Sequence, residues 1–292
     1  MNKKINAVVL VGKYEDQEIE SFIKKVATFL SGLGVEVFLD SDTSLNLLDN
    51  KIPTKEPNEA TDIDAIIVLG GDGTMMGAAR RWGITSSNKN IPLVGINHGR
   101  IGFLTDIPQA SVFESLNAII NGDYKKELRD VIKYSLKLNN DLLSEGVAIN
   151  DLIVGRSITG KLMEFTVFVN DEFVYSQLAD GIIITNPTGS TAYSLAAGGS
   201  ILHPNCKVFT IVPICPQILS NRPIVIDNES KIKILFSGTN NLEYFVDGIK
   251  MKLAPFGSYF EIQRNIEQIE LIHPQTYSYF SGLRTKLNWV NG

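Results

Sequence analysis

The 292 residues hold 27 Lys and Arg against 32 Asp and Glu, for a formal net charge of −5, with 44% hydrophobic and 20% charged residues. That balance belongs to a globular chain of one large domain or two ordinary ones, and without a Lys/Arg cluster it excludes a basic nucleic-acid-binding stripe. No stretch approaches the roughly 18–20 apolar residues of a membrane span. The apolar run Ala7 to Val11 is too short for a signal peptide and leads into Lys13, Glu15 and Asp16. Cys206 and Cys215 form no CxxC and no metal spacing, so a reduced pair in a cytoplasmic protein is expected. His98, His203 and His273 show no HxxH or HExxH pattern. A metal held by protein side chains alone is not expected, whereas a divalent cation such as Mg²⁺ can enter on a nucleotide.

The first hundred residues alternate between strand and helix. "INAVVLVG" (5–12) is a short apolar strand, and residues 17–33 place Phe22, Ile23, Val26, Phe29, Leu30 and Leu33 at helical spacing before the stop at Gly34. "VEVFLD" (35–40) is the next strand. Residues 41–61 are polar, hold two prolines and read as an exposed connection. "DIDAIIVL" (62–69) is a nearly continuous apolar run of the kind buried in a parallel sheet. A helix from Thr74 to Trp82, a strand over 91–97 and a helix from Ser111 to Asn121 follow.

After residue 125 the chain turns strand-like. "VIKYSLKL", "LMEFTVFV", "EFVYSQLA", "GIIIT", "VFTIVP", "PIVI", "KIKILFS", "LEYFV", "SYFEIQ" and "IEQIELI" are alternating or β-branched, with Asn/Asp/Gly turns between them. "VNDEFVY" (169–175) reads as a hairpin turning at Asn170-Asp171, and "TAYSLAAGG" (191–199) as the single helical interruption. The expected architecture is an α/β domain over 1–125, Rossmann-like, then a β-rich, sandwich-like domain over 126–265. Residues 266–292 are expected to pack back on the first domain, and the ligand site to lie in the cleft between the domains.

Two stretches carry chemistry. "VLGGDGTMMGAARR" (68–81) sets a glycine turn between a buried strand and a helix, where free backbone N–H groups and the helix dipole favour phosphate. It is neither a Walker A loop nor the GxGxxG fingerprint. Asp72 in that turn has two readings. It can N-cap the helix beginning at Thr74, or it can take a proton from a hydroxyl that attacks a phosphoryl group. "TNPTGSTAYSLAAGGSILHP" (185–204) gathers Thr185, Thr188, Ser190, Thr191 and Ser194 around Tyr193. Hydroxyls and amides there suit a planar polar ligand such as adenine, with Tyr193 against a ring; the other reading is a capped helix with an ordinary core tyrosine.

GGDGT (70–74), "GINHGRIGFLTD" (95–106), "AINDLIVGR" (148–156), "DGIIITNPTGSTAYSLAAGGSILHP" (180–204) and "VDG" (246–248) together resemble, in order and spacing, the motifs of bacterial NAD kinases. GGDGT alone is shared with diacylglycerol-type lipid kinases and with 6-phosphofructokinases, while PTGSTAYS with Asn150-Asp151 is more specific. The resemblance implies transfer of the γ-phosphoryl group of ATP to the 2′-hydroxyl of NAD's adenosine ribose, with a divalent metal and a homodimer or homotetramer. Inorganic polyphosphate as donor stays open. By position, Asp72 resembles the catalytic base and Gly73 its phosphate-contacting neighbour. Asn150 and Asp151 match the Asn–acidic pair that holds NAD, and Asp180 the aspartate reaching the nicotinamide end. Thr191, Ala192, Tyr193, Ser194, Leu195 and Ala196 match the adenosine-binding turn, with Thr188 just before it. Lys161 falls where a side chain often lines the NAD pocket, and Asp247 matches a second acidic residue near the ribose. The chain departs from the pattern at Asp151, where glutamate is commoner, and at Leu178 and His98, where basic residues are frequent. It departs again at Ile249, where glutamine is common. The competing expectations are a lipid or sugar kinase sharing GGDGT and a catalytically silent NAD-binding sensor.

Overall fold

A computed structural model of the chain describes residues 2–12, 17–45, 47, 51–84, 90–99, 102–156, 162–218, 220–237, 242–251 and 253–289. It divides into two compact units, Met1–Leu128 with Ile269–Gly292, and Arg129–Gln268.

The first unit is built on a seven-stranded sheet. Its order is Thr54–Lys55, Glu36–Asp40, Ala7–Gly12, Ala65–Gly70, Leu93–Asn97, Ile269–His273 and Lys125–Arg129. Ala7–Gly12 and Ala65–Gly70 are buried at every residue and pair in parallel, as their unbroken apolar sequences require. Helix Gln17–Gly32 lays Ile19, Ile23, Val26, Ala27 and Leu30 on the sheet, and the chain leaves it through Gly34 at φ 80°. Strand order reverses beside Ala7–Gly12. Ligands of open parallel sheets sit at the carboxyl ends of the strands at such a reversal, and GGDGT leaves the carboxyl end of Ala65–Gly70 there.

Residues 41–61 are not merely an exposed connection. They hold helix Ser41–Leu45, the parallel edge strand Thr54–Lys55 and the 3₁₀ segment Pro57–Asp62. Arg81 organises this stretch, meeting Asp40 at 2.9 Å, Glu56 at 2.7 Å, and Asp42, while the buried Trp82 donates to Asp40 at 2.9 Å. Those partners lie 25 to 42 residues apart, so no local pattern reports them.

The second unit is a sandwich of two six-stranded antiparallel sheets. One runs Glu172–Ala179, Met163–Val169, Ile232–Ser237, Tyr259–Arg264, Ile132–Leu138, Asp141–Ala148. The other runs Ile224–Asp227, Val208–Ile214, Gly181–Thr185, Asp151–Arg156, Leu242–Val246, Ile249–Lys250. Both inner faces feed one core in which Tyr134, Phe165 and Phe260 meet Leu152, Ile182, Phe209 and Tyr244. The expected hairpin turns at Asn170 and Asp171, both at positive φ (51° and 65°), the conformation a two-residue turn needs. No helix among the described residues is long and apolar enough to cross a membrane.

Candidate functional site

The sequence leaves Asp72 between two readings, and its hydrogen bonds decide against the cap. The helix runs Asp72–Ala78, two residues earlier than expected, and continues as a π-helical segment Ala79–Gly83. Gly71 occupies the N-cap, so Asp72 is already helical and its side chain is free to turn outward. Its Oδ2 accepts the amide of Phe103 at 2.8 Å. Its Oδ1 accepts the amides of Leu104 at 2.9 Å and Thr105 at 3.2 Å, and the Thr105 hydroxyl at 3.4 Å. Three successive N–H dipoles thus fix the carboxylate's orientation. Gly102 lies so close that a Cβ there would collide with Asp72 Oδ1 and stand 2.6 Å from Thr105 Oγ1, so only glycine fits. Gly71 and Gly73, by contrast, have nothing within 4 Å of where a Cβ would stand. Neither is required by the protein's own packing.

In the second unit, the turn from Ile149 to Asp151 is held from outside by Asp247. That residue and Gly248, at φ 50° and 77°, make the tight turn between Leu242–Val246 and Ile249–Lys250. The Asp247 carboxylate accepts the amides of Ile149 at 3.1 Å, Asn150 at 2.7 Å and Asp151 at 3.3 Å. Asp151 is buried, and its carboxyl is pushed up to about 7 by burial first and by the Asp247 charge second. Asn150 Oδ1 is buried and has no hydrogen-bond partner among the described residues.

The PTGSTAYS stretch wraps against that turn. The buried Asn186 donates to the carbonyls of Asp130 and Ile149, both at 2.8 Å, and accepts the amide of Gly189 at 3.1 Å. Gly189 packs so tightly on the Asn150 carbonyl that a Cβ has no room. Thr185 Oγ1 donates to the Asn150 carbonyl at 2.9 Å. Ser190 donates to the Pro187 carbonyl at 2.7 Å and accepts Leu202 N–H at 3.1 Å. Helical structure here is briefer than expected, a 3₁₀ turn Gly189–Thr191 and one turn Tyr193–Ala196, parted by Ala192 at φ −97°, ψ −133°. Thr188 is buried and accepts from Arg129, and Thr191 donates to the Thr188 carbonyl at 3.4 Å. Tyr193 is 47% exposed, so it is no core tyrosine, and beside it Ser194 is buried, its hydroxyl without a hydrogen-bond partner among the described residues. Leu195 is half-buried and Ala196 exposed.

Asp180 sits apart from this cluster, at the entry to strand Gly181–Thr185, and pairs with Arg156 Nε at 3.0 Å, both side chains partly exposed. Lys161 lies outside the described residues. His98 stacks on Phe22 and meets the Gln109 amide, Leu178 is half-buried, and Ile249 is exposed. Among the described residues no group of three or more His, Cys, Asp or Glu could hold a metal ion.

Several supports of these sites escape sequence reasoning. The amides of Phe103–Thr105 lie more than 30 residues from Asp72, and Arg156 is 24 positions before Asp180. Asp130 anchors the segment beneath Asn186 by meeting Lys207 at 3.0 Å and Asn228 at 2.7 Å. Asn186 left a local signal, as the Asn of an Asn-Pro turn, while Phe103–Thr105 and Arg156 fall inside the motifs 95–106 and 148–156, which do not show what they touch.

Known proteins match this chain along its length. Residues 8–124 match the family model for the ATP-NAD kinase N-terminal domain, and residues 149–274 that for the ATP-NAD kinase C-terminal domain. An NAD kinase of Thiobacillus denitrificans is 39% identical over 290 residues, covering 99% of both chains. One of Nitrosomonas europaea is 39% identical over 284 residues, covering 97% of this chain and 94% of its own. The crystal structure of yeast NADH kinase complexed with NADH superimposes with a TM-score of 0.86 at 25% identity, over 99% of this chain and 89% of that one. An NAD kinase from Archaeoglobus fulgidus, solved with ATP, shares the fold at a TM-score of 0.73 and 22% identity, over 98% and 100%. The chain belongs to the NAD kinase family.

Proposed function

We propose that this chain makes NADP by transferring the γ-phosphoryl group of ATP to the 2′-hydroxyl of the adenosine ribose of NAD. The observation that carries the reading is Asp72, a carboxylate oriented by three backbone amides and flanked by Gly71 and Gly73, whose missing side chains leave open space. Glycines that the fold does not need are accounted for by a phosphate chain that must come close to the backbone. Asp72 takes the proton from the 2′-hydroxyl as that oxygen bonds to the γ-phosphorus. The bond from phosphorus to the β,γ-bridging oxygen breaks, and ADP leaves with the electron pair.

NAD is held, on this reading, by Asn150, Asp151 and the turn from Thr188 through Ala196, with Asp180 taking the carboxamide N–H₂. The unpartnered Asn150 Oδ1 and Ser194 Oγ are then satisfied by ligand. Asp151, with a pKa pushed up to about 7, can donate to or accept from a ribose hydroxyl near neutral pH. Lys161 is proposed to line the same pocket. Mg²⁺ comes as part of the nucleotide substrate, keeping phosphate oxygens and water as most of its ligands. Asp247 serves the acceptor site by holding its backbone rather than by reaching the ligand. A homodimer or homotetramer and a cytoplasmic setting complete the proposal, and both cysteines are free. Family membership leaves the lipid- and sugar-kinase readings of GGDGT without support.

Pure protein incubated with ATP, Mg²⁺ and NAD should form NADP, read out with an NADP-specific dehydrogenase. NAD binding by calorimetry without NADP formation would identify a silent sensor instead. In competition assays 5′-AMP should displace NAD better than nicotinamide mononucleotide does; the reverse order overturns the assignment of the pocket's two ends.

A further inference from the structure

His273 ends strand Ile269–His273, is 1% exposed, and lies flat on Tyr277 with ring centroids 3.9 Å apart and planes inclined by 11°. Its Nδ1 stands 3.1 Å from Asp106 Oδ2, and its Nε2 stands 3.9 Å from Glu127 Oε1. Asp106 Oδ1 is buried with no hydrogen-bond partner among the described residues, so the His273 ring is the contact that holds this carboxylate. Asp106 directly follows Thr105, whose amide and hydroxyl both reach Asp72. On its other side, Ile107 is tied to the sheet, donating to the Gly95 carbonyl at 3.1 Å and accepting Asn97 N–H at 2.8 Å. The turn that orients Asp72 is thus fastened by the sheet, where the Asn97 side-chain amide also donates to Thr105 Oγ1 at 3.4 Å, and at its Asp106 flank by one imidazole.

Leu104 and Thr105 are packed closely on Gly95, but packing does not close the Asp106 flank. A cavity of about 190 Å³ lies there, lined by Gly102, Phe103, Asp106, Pro274, Tyr277 and Leu283 among others. Dense packing would fix a loop whatever its polar contacts; beside a void the directional bond decides where it stands. We propose that His273 is a positioning residue for Asp72, holding the Gly102–Thr105 turn through Asp106 so that the three amides aim the carboxylate. This rests on Asp72 being the general base.

His273→Phe keeps the ring and its stack on Tyr277 but has no N–H to offer. His273→Asn restores a donor near the Nδ1 position. The expected result is a fall in kcat of about ten- to a hundredfold for His273→Phe, the scale on which small misplacements act. KM for ATP and NAD should stay within about twofold, and His273→Asn should recover most of the loss. Asp106→Ala should match His273→Phe, and the double variant should lose no more than either, because both cut one link. Amide exchange should quicken in the 102–106 peptide and not in Ala65–Gly70. If His273→Phe does not fold, Asp106→Ala decides. Unchanged kcat in the folded single variant overturns the proposal, as does a His273→Asn variant as slow as His273→Phe, or additive losses in the double. Wild-type protein that makes no NADP sinks the proposed function itself. Active wild type, inactive Asp72→Asn and unaltered His273→Phe sink the positioning role alone.

Discussion

Asp247 Oδ1 accepts the amide of Asn150 at 2.7 Å, a bond that joins a hairpin turn to a segment 97 residues earlier. The same contact brings a fixed negative charge beside the buried carboxyl of Asp151, whose pKa rises to about 7.

That rise sets a pH dependence whose sign is definite. Below about pH 4 both folded and unfolded chains hold the Asp151 proton, and the residue costs nothing. Between about pH 4 and 7 the folded chain keeps a proton that the unfolded chain has released, so stability falls as pH rises, and above 7 the cost is constant. Three units correspond to at most about 4 kcal/mol. Asp151→Asn should therefore raise Tm at pH 8 clearly more than at pH 5. Melts showing an equal shift at both values would mean the carboxyl titrates normally.

Asp72→Asn separates chemistry from structure. A capping aspartate would tolerate asparagine, but this one accepts amides at both oxygens. Whichever way the amide turns, its N–H₂ faces a backbone donor, at a cost of about 1–3 kcal/mol in stability. Loss of the base should lower kcat by about 10²–10⁴-fold, while NAD still binds calorimetrically. Near wild-type kcat per folded molecule would refute the base assignment.

Asp180→Ala removes a half-exposed ion pair with Arg156, worth about 0–1 kcal/mol to the fold, so the melt should hardly move. Its proposed partner on the ligand would be left unpaired, and KM for NAD should rise about tenfold or more while KM for ATP changes less. An unchanged KM for NAD removes Asp180 from the site.

Asn186→Ala strips hydrogen bonds from the Gly189 amide and from the carbonyls of Asp130 and Ile149, all at a fully buried position. A loss of about 2–4 kcal/mol is expected, on the scale of buried polar networks. Denaturant melts of the variant check it; a loss below about 1 kcal/mol would show that the turn stands without this side chain.

What could be read from the sequence follows the range of each interaction. Ala65–Gly70, GGDGT and the Asn170-Asp171 hairpin are dictated by neighbours a few residues apart, and their patterns were legible. Strand Asp141–Ala148 was not, because Leu142 and Leu143 stand side by side and exposed, which erases the alternation that marks a half-buried strand. Edge strand Thr54–Lys55 is two residues long, and the Arg81 contacts around it cross 25 or more positions. Asp72 stands out in the sequence, but its grip comes from the turn 31 to 33 residues on, and at that distance no local pattern shows that it does not cap its helix.

The strand Ile269–His273 lies between Leu93–Asn97 and Lys125–Arg129 in the seven-stranded sheet, and the whole second unit intervenes in the chain before it. During synthesis the sheet that carries Asp72 therefore waits with an interior place vacant until the strand Ile269–His273 has been made. The sandwich of Arg129–Gln268 is contiguous and can close first. That topology lets the second unit fold before the first, against the usual order in which amino-terminal units fold as they emerge. A chain cut after Gln268 would carry every strand of the sandwich but lack one interior strand of the sheet that bears Asp72.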